Sequence, residues 1–282
     1  MGRVTSRRRV LRLAGPAVTV GPDTLVVEEP LEIRVAGRPL TVTMRTPGAD
    51  FDLAAGFLVS EGVVRRADEI AGIRYCAGAT DDGRNTYNVV DVVLSAGVAP
   101  PDPSLERNFY TTSSCGLCGK ASLEAVRTTA TWPVRDDPMR IDAALVAELP
   151  NRLRAAQRVF DRTGGLHAAG LFSEDGRLLC LREDVGRHNT VDKVVGWALR
   201  EGRVPLRGTL LLVSGRASFE LVQKAVMAGL PVLAAVSAPS SLAADLAADA
   251  GLTLIAFLRG SSMNVYSAGH RLGLEDRASV DA

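Results

Sequence analysis

The chain has 282 residues, of which 46% are hydrophobic and 23% are charged, a balance that excludes disordered and collagen-like proteins. Its 33 basic and 32 acidic residues leave a net charge of +1, without the basic excess that a broad nucleic-acid surface carries. Four cysteines are too few for a disulfide framework, and no apolar run reaches the ~18 residues of a membrane span. These features predict a cytoplasmic protein whose partners include neither nucleic acid nor a membrane.

Composition divides the chain into three parts. Residues 1–16 are rich in Arg and carry no apolar stretch, so we expect a flexible basic tail rather than a secretory signal. Three prolines fall between residues 96 and 104, and such a run stops any regular element. We therefore predict an N-terminal domain over residues 17–104, which includes this linker, and a second domain over residues 105–282.

The N-terminal part predicts a small α+β domain. Residues 30–36 and 40–46 alternate apolar and polar side chains on either side of a Gly37 turn, which indicates a hairpin with one buried face. Strands that pair locally around a single helix are typical of an α+β domain. The other elements expected in this part are a helix at residues 51–60, capped by Asp50, and strands at residues 70–76 and 87–94.

The second part predicts a three-layer α/β/α sandwich. Short β-rich apolar runs alternate with helical patterns, which indicates parallel strands covered by helices on both faces. Strands are expected at residues 166–172, 177–182, 209–213, 231–236 and 252–257. Helices are expected at residues 120–127, 142–161 (broken at Pro150), 191–199, 219–226 and 242–250.

Polar segments follow three of these strands, at residues 214–218, 237–241 and 258–264. The carboxyl ends of parallel strands share one edge of a sheet, and ligands bind at that edge. The first two segments also start helices, whose free N–H groups hold anions, and Arg216 and Arg259 add planar cations suited to phosphate. Serine as a routine helix cap is the alternative for each segment taken alone. Together the segments predict a site for a phosphorylated, nucleotide-like ligand, although neither a glycine fingerprint for NAD nor a P-loop is present.

A Cys-x-x-Cys motif, Cys115 and Cys118, lies in a polar loop rich in glycine before a predicted helix. The helix N-terminus and Lys120 both favour the thiolate form of Cys115. Two thiols at this spacing can share a ligand, attack one another's adducts or bind one metal. A thioredoxin-like motif follows the first strand of a βαβ unit, whereas this motif follows a linker rich in proline.

A structural zinc site would need two more ligands than this motif supplies. Cys76, Cys180, His167 and His188 are the candidates, but no second Cys-x-x-Cys is present. Cys76 ends a predicted strand and Cys180 sits inside an apolar one, so both are interpreted as buried apolar thiols. We therefore expect no permanently bound metal.

Two polar runs place histidines at predicted strand ends. Residues 163–169 open a strand and contain His167, and residues 183–193 leave a strand and contain His188. The second run concentrates titratable groups within ten residues, which indicates either a functional cluster or a solvated helix start held by salt bridges. The five titratable side chains among residues 184–193 are Asp184, Arg187, His188, Asp192 and Lys193.

Together these runs resemble the FdhD/NarQ family of formate dehydrogenase accessory sulfur carriers. The matching segments are 115–120, 163–169, 183–193, 214–216 and 257–266, together with 29–33 and 57–62. The resemblance spans about residues 25–267 and includes both cysteines of the motif.

The resemblance implies a second domain with a cytidine-deaminase-like fold, usually in a homodimer. It implies that a cysteine desulfurase loads sulfur onto Cys115 as a persulfide. The sulfur then passes to the molybdenum of a bis-molybdopterin guanine dinucleotide cofactor, which is bound as a substrate and serves formate dehydrogenase. The resemblance assigns cofactor binding to Phe257, Leu258, Arg259, Gly260, Ser261 and Ser262. With the strand-edge residues, the predicted catalytic residues are Cys115 and Cys118, and the predicted cofactor-binding residues are 257–262 together with Ser214, Gly215, Arg216, His167 and His188.

Two other functions compete with this interpretation. Zinc deaminases need His-x-Glu and Pro-Cys-x-x-Cys, but His167-Ala-Ala lacks the glutamate and Ser114 precedes Cys115. A deaminase-like hydrolase would therefore lack its general acid/base. The second alternative is a chaperone that holds the cofactor without a covalent step, and substitution of Cys115 distinguishes it from sulfur transfer.

Overall fold

The described residues fold around a six-stranded and a four-stranded β-sheet, with helices between and outside them, and a two-stranded ribbon at the N-terminus. The computed structural model describes residues 4–76, 86–102, 126 and 129–274. The strands of this part are β1 Thr5–Ala14, β2 Ala17–Val26, β3 Glu29–Val35, β4 Arg38–Arg45, β5 Ile70–Tyr75, β6 Val89–Leu94, β7 His167–Ser173, β8 Leu178–Asp184, β9 Thr209–Val213, β10 Val232–Ala235, β11 Thr253–Arg259 and β12 Ser262–Ser267. Its α-helices are α1 Asp50–Ser60, α2 Ala143–Ala156, α3 Arg158–Thr163, α4 Arg187–Arg200, α5 Phe219–Met227 and α6 Ser241–Ala250. None of the helices in the described ranges is long and apolar enough to cross a membrane.

The larger sheet has six strands in the order β12-β11-β10-β9-β7-β8. Strands β9, β10 and β11 are parallel, as predicted, whereas β7 is antiparallel to β9 and β12 is antiparallel to β11. Leu211 and Val213 of β9 face a core formed with α4, α5 and α6, and Leu210 and Leu212 face a core formed with α2. Alternate side chains of β9 thus serve opposite faces, and the predicted three-layer α/β/α arrangement is confirmed.

The smaller sheet, in the order β4-β3-β6-β5, covers the other side of α1. Its inward residues, such as Ile33 and Val90, belong to the same core as α4 and the six-stranded sheet. Helix α1 packs against α4 at two glycines, Gly56 and Gly196. The division of the chain at residue 104 stays a prediction, and this shared core joins the two sheets across it.

The N-terminus differs from the flexible tail predicted for residues 1–16. β1 and β2 form an antiparallel ribbon in which Leu11 pairs with Val20 and Leu13 pairs with Val18. The prediction was wrong because the stability of β1 depends on its partner strand β2, which starts at Ala17, outside the predicted tail. The cross-strand aliphatic pairs stabilise the hairpin.

Two helix boundaries also differ from the prediction. Pro150 lies inside α2 and does not break it, because Val146, Leu149 and Leu153 anchor the helix to the core on both sides of the proline. The break falls at Gln157 instead. Asp50 is the first residue of α1 rather than its cap, and the helix predicted at residues 120–127 falls almost wholly outside the described residues.

Candidate functional site

Five polar segments meet at one edge of the six-stranded sheet. The parallel strands β9, β10 and β11 end there, and β7 begins there because it runs in the opposite direction. His167, the first residue of β7, pairs with Asp184, the last residue of β8. The segments after β9 and β10 are hydrogen-bonded to each other, since the Ala217 N–H donates to the Ala238 carbonyl at 3.1 Å. This edge therefore gathers the five polar segments that the sequence pattern indicated, at residues 163–169, 183–193, 214–218, 237–241 and 258–264.

The serines of this edge have different roles. Ser240 caps α6, since its hydroxyl accepts a 3.2 Å hydrogen bond from the Ala243 N–H. This is the helix-cap role that was the alternative to ligand binding for each segment. The Ser214 hydroxyl accepts a 2.9 Å bond from the Ala168 N–H and so ties β9 to β7. Ser218 occupies the N-cap position of α5 without a side-chain capping bond, and its hydroxyl lies 3.3 Å from His188 Nε2. The α5 N-terminus is thus not closed by its own cap residue.

Residues 257–262 form a β-hairpin instead of the predicted polar loop. β11 continues to Arg259, which pairs with Ser262 of β12 across a turn at Gly260 and Ser261. Phe257 adopts a φ of 52°, which is an outlier for an aromatic residue, next to an irregularity in the strand pairing. Phe257 is 37% exposed, whereas Leu258 is buried. The prediction was wrong because a strand that ends in polar residues does not reveal the antiparallel partner that extends it.

Three cationic or titratable side chains lie at the β7–β8 end of the edge. Burial lowers the pKa of His167, and electrostatic interactions with Arg187 and His188 lower it further, which favours the neutral imidazole. The Arg187 Nε is buried and has no hydrogen-bond partner among the residues that the structure describes, so a strong donor is left unused there. His188 Nε2 contacts Glu220 Oε2 at 2.7 Å.

Asp184, Asp192 and Lys193 of the run 183–193 are buried in the interior rather than solvated. Asp184 accepts from the Lys193 ammonium at 2.6 Å and from the Thr46 N–H at 3.1 Å. Asp192 accepts from the Lys224 ammonium at 2.8 Å. Salt bridges therefore hold Asp184, Asp192 and Lys193, but in the core rather than at a solvated helix start. Arg187 and His188 lie at the sheet edge.

A cavity of about 670 Å³ opens behind this edge, on the α2 side of the sheet. Its lining comes from the end of α2, from α3, and from the ends of four neighbouring strands, including His167 and Ser214. Sequence reasoning missed the helical side of this cavity, namely Asn151, Leu153, Arg154, Gln157 and Phe160. Gln157, a polar residue between two apolar helical stretches, could have indicated the end of α2. The break that was predicted at Pro150 instead placed this end of the helix wrongly.

The cysteines divide into two groups. Cys115, Cys118 and Lys120 lie outside the described residues, so their predicted roles stay predictions. Cys180 is buried in β8, and burial raises the pKa of its thiol to about 12, which keeps it unreactive as predicted. Cys76, at the end of β5, is half-buried.

The fold is similar to that of a solved protein structure. It matches the crystal structure of a protein described as a formate dehydrogenase accessory protein from Desulfotalea psychrophila, with a TM-score of 0.75 over 96% of this chain and 100% of that one. The sequences are 23% identical, so this likeness concerns the fold.

Sequence relatives then define the family. The FdhD/NarQ family model matches residues 26–273. A protein of Streptomyces avermitilis is 70% identical over 99% of both chains, and one of Mycobacterium tuberculosis is 58% identical over 96% of this chain and 100% of its own. Both relatives are named sulfur carrier protein FdhD. The chain belongs to the FdhD/NarQ family.

Proposed function

We propose that this protein is a cytoplasmic sulfur carrier that loads sulfur on Cys115 and delivers it to a molybdenum cofactor for formate dehydrogenase. The observation that carries the proposal is the pair of near full-length relatives at 58–70% identity that are named sulfur carriers. The Cys-x-x-Cys motif of this chain supplies the thiols that such a carrier requires. A cysteine desulfurase is the proposed donor, formate dehydrogenase the proposed recipient of the finished cofactor, and a homodimer the proposed assembly.

The loading step is a thiolate exchange. The Cys115 thiolate attacks the outer sulfur of a persulfide on the desulfurase, a new S–S bond forms on Cys115, and the desulfurase cysteine leaves as a thiolate. No electrons enter or leave in this exchange. Lys120, five residues on, is placed by the sequence to favour the attacking thiolate.

The delivery step needs two electrons, which the second cysteine supplies. The Cys118 thiolate attacks Cys115 Sγ, the bond to the outer sulfur breaks, and that sulfur leaves as hydrosulfide for the metal of the cofactor. The products are hydrosulfide and a disulfide between Cys115 and Cys118, so the pair of thiols is oxidised as the outer sulfur is reduced. A cellular thiol reductant then restores the pair for another cycle.

The polar sheet edge is the proposed cofactor site. A guanine dinucleotide carries pyrophosphate groups, and the edge offers the exposed Arg216 and Arg259, the N-terminus of α5, and the unused donor of Arg187. The exposed ring of Phe257 adds an apolar face beside these donors. The charge and hydrogen-bonding capacity of the edge therefore suit a phosphorylated ligand of this size.

Intact-mass spectrometry tests the covalent part of the proposal. After incubation with a cysteine desulfurase and cysteine, the wild-type protein should gain about 32 Da in a cyanide-labile form, the mass of one added sulfur. Cys115→Ala should lose this adduct, whereas Cys180→Ala is the matched control and should keep it, because Cys180 is buried. An adduct that persists in Cys115→Ala contradicts the assignment, and a Cys115→Ala protein that still supports formate dehydrogenase activity indicates a chaperone without covalent transfer.

A further inference from the structure

The β1–β2 ribbon stands apart from the rest of the fold. Among the described residues, its two strands pair only with each other and contribute nothing to the two hydrophobic cores. Residue 26, at which the family model begins, is the last residue of β2. The ribbon is therefore an addition to the carrier core, and the stability of that core does not account for its surface.

One face of the ribbon is aliphatic. Leu11 pairs with Val20 and Leu13 pairs with Val18, and the two pairs share a face because they are two positions apart along each strand. These four residues are 54–74% exposed. With Leu25, they make up half of the ten large hydrophobic residues that are exposed in the described part of the chain. An exposed aliphatic patch on an element outside the core is typical of an interaction surface.

The same ribbon is strongly basic. It carries four arginines and one aspartate, a net charge of +3, whereas the whole chain carries +1. Arg7 and Arg9 share the face of Leu11, because they precede it by four and two positions. Both are exposed, and neither has an ion-pair partner among the residues that the structure describes. A surface that complements this face therefore presents apolar residues flanked by carboxylates.

The composition and size of the ribbon favour a different protein as the partner. Residues 1–26 contain no Trp, Tyr or Phe, the aromatic rings that anchor membrane interfaces and stack on nucleic-acid bases. Two ribbons packed face to face, each about 34 Å long and about 10 Å wide, would bury only roughly 700 Å², less than the ~1,200 Å² of a stable interface. A larger protein that contacts the ribbon together with the surface at its base is not limited in this way.

The base of the ribbon lies beside the cavity behind the sheet edge. A Cβ atom added to Gly165, which lines the cavity, would lie 3.2 Å from Val26 Cγ1 at the end of β2. Strand β2 also contacts α3, the helix that contributes Phe160 to the cavity lining. A protein that holds the ribbon is thus next to the edge where the proposed function places the cofactor. The protein that must approach this edge is the one that receives the cofactor.

We propose that the β1–β2 ribbon is a docking arm for the enzyme that receives the finished cofactor. The aliphatic face of the ribbon packs on an apolar patch of that enzyme, and Arg7 and Arg9 pair with carboxylates beside the patch. The inference rests on the proposed function, which names formate dehydrogenase as the recipient. It adds the surface by which the two proteins recognise each other. The arm takes no part in the loading of sulfur on Cys115.

Calorimetry between the full-length protein and purified, cofactor-free formate dehydrogenase tests the aliphatic face. Threonine at all four aliphatic positions keeps the β-strand propensity and removes the apolar surface. This fourfold variant should bind at least about tenfold more weakly than wild type, because a few apolar anchors carry most of the affinity of an interface. The substitutions are Leu11→Thr, Leu13→Thr, Val18→Thr and Val20→Thr.

A matched control lies on the opposite face of the ribbon. Ala14 and Ala17 are exposed and pair with each other, so Ala14→Thr with Ala17→Thr should bind the enzyme as wild type does. Thermal unfolding of both variants should match wild type, because the ribbon belongs to neither core. Equal affinity of wild type and the fourfold variant would overturn the proposal, as would a wild-type protein that does not bind the cofactor-free enzyme.

Salt dependence tests the basic part of the arm. Arg7→Gln with Arg9→Gln should weaken binding several-fold at about 50 mM salt, and the difference from wild type should shrink at about 500 mM, where exposed charges are screened. Arg8→Gln, on the opposite face, is the matched control and should change the affinity by less than about twofold. A double variant that binds as wild type does at low salt would overturn the pairing with carboxylates.

Photo-crosslinking identifies what contacts the arm. With benzoylphenylalanine in place of Leu13, the cross-link should join the protein to formate dehydrogenase. Cross-links only to a second copy of the chain would overturn the proposal in favour of self-association. Sedimentation with phosphatidylserine vesicles that the fourfold variant loses would overturn it in favour of a membrane surface.

Persulfide loading separates this inference from the proposed function. The ribbon variants should gain the cyanide-labile adduct on Cys115 as wild type does. Variants that load sulfur normally and still bind the enzyme normally overturn only the docking arm. A wild-type protein that takes up no persulfide contradicts the proposed function, whatever its ribbon binds.

Discussion

Gly56 of α1 and Gly196 of α4 lie against each other with their backbones in contact. A Cβ atom added to Gly196 would lie 1.8 Å from the carbonyl oxygen of Asp52, and one added to Gly56 would lie 1.8 Å from that of Asp192. Both neighbours are backbone atoms, which cannot rotate away. The layer that carries the candidate site is therefore joined to the smaller sheet by a helix crossing that only glycine permits.

Gly196→Ala should destabilise the protein by about 3 kcal/mol or more, because the new methyl group forces the two helices apart. Urea denaturation monitored by circular dichroism measures this change in the free energy of unfolding. Gly72→Ala is the control, since a Cβ at Gly72 meets nothing within 4 Å, and it should change stability by less than about 1 kcal/mol. A Gly196→Ala protein as stable as wild type would contradict the observed helix contact.

Lys224→Met should destabilise the fold by about 3–5 kcal/mol, because it leaves the Asp192 carboxylate buried without its cation. Asp192 also accepts from the Ser60 hydroxyl at 2.7 Å, which alone cannot offset the buried charge. The double variant Asp192→Asn with Lys224→Met removes both charges and should recover part of the loss. A double-mutant cycle in urea measures the coupling, and purely additive effects would refute the pairing.

The protein should become less stable as the pH falls below about 6.5, the range in which His167 is protonated in the unfolded chain. Burial and electrostatic interactions with Arg187 and His188 lower the pKa of the folded His167 below its unfolded value of about 6.5. The unfolded chain then binds more protons than the folded one, so the contribution is fully present above about pH 6.5 and is lost as pH falls toward the folded pKa. His167→Gln should flatten this slope, and NMR titration of the His167 ring should give a pKa below 6.5. A pKa above that value would contradict the prediction.

Arg259→Ala should weaken GDP binding about tenfold or more, because a charge-assisted hydrogen bond to phosphate is worth roughly 1.5–3 kcal/mol. Arg216→Ala should act in the same direction, and persulfide loading on Cys115 should stay near wild type in both variants. Arg38→Ala, at an exposed arginine of β4 in the smaller sheet, provides the control. If both edge variants bind GDP as wild type does, the phosphates lie elsewhere.

The strands and the gathering of polar motifs were predictable because they depend on local patterns. Alternating side chains marked β3 and β4, and the rule that parallel strands share an edge placed the Ser214 and Phe257 segments together. The pairing of Asp192 with Lys224 was not predictable, since 32 residues separate them and a helix start suggests local salt bridges instead. The inversion of β7, which brings His167 to the same edge, is likewise a tertiary choice that no local pattern encodes. The place of Gln157 in the cavity lining was not predictable, because α2 continues through Pro150. That continuation depends on the buried face of the helix rather than on the intrinsic preference of proline.

The contact between α1 and α4 has a consequence for synthesis on the ribosome. The Ser60 hydroxyl meets its Asp192 partner 132 residues later in the chain, and Asp52 meets Arg182 after 130 residues. At roughly 5–20 residues per second, α1 leaves the ribosome on the order of ten seconds before α4 exists. During that interval the face of α1 that packs against α4 has no helix to cover it. The nascent N-terminal segment is therefore a natural client for chaperones that bind exposed apolar chain, and a truncation before α4 should yield an insoluble product.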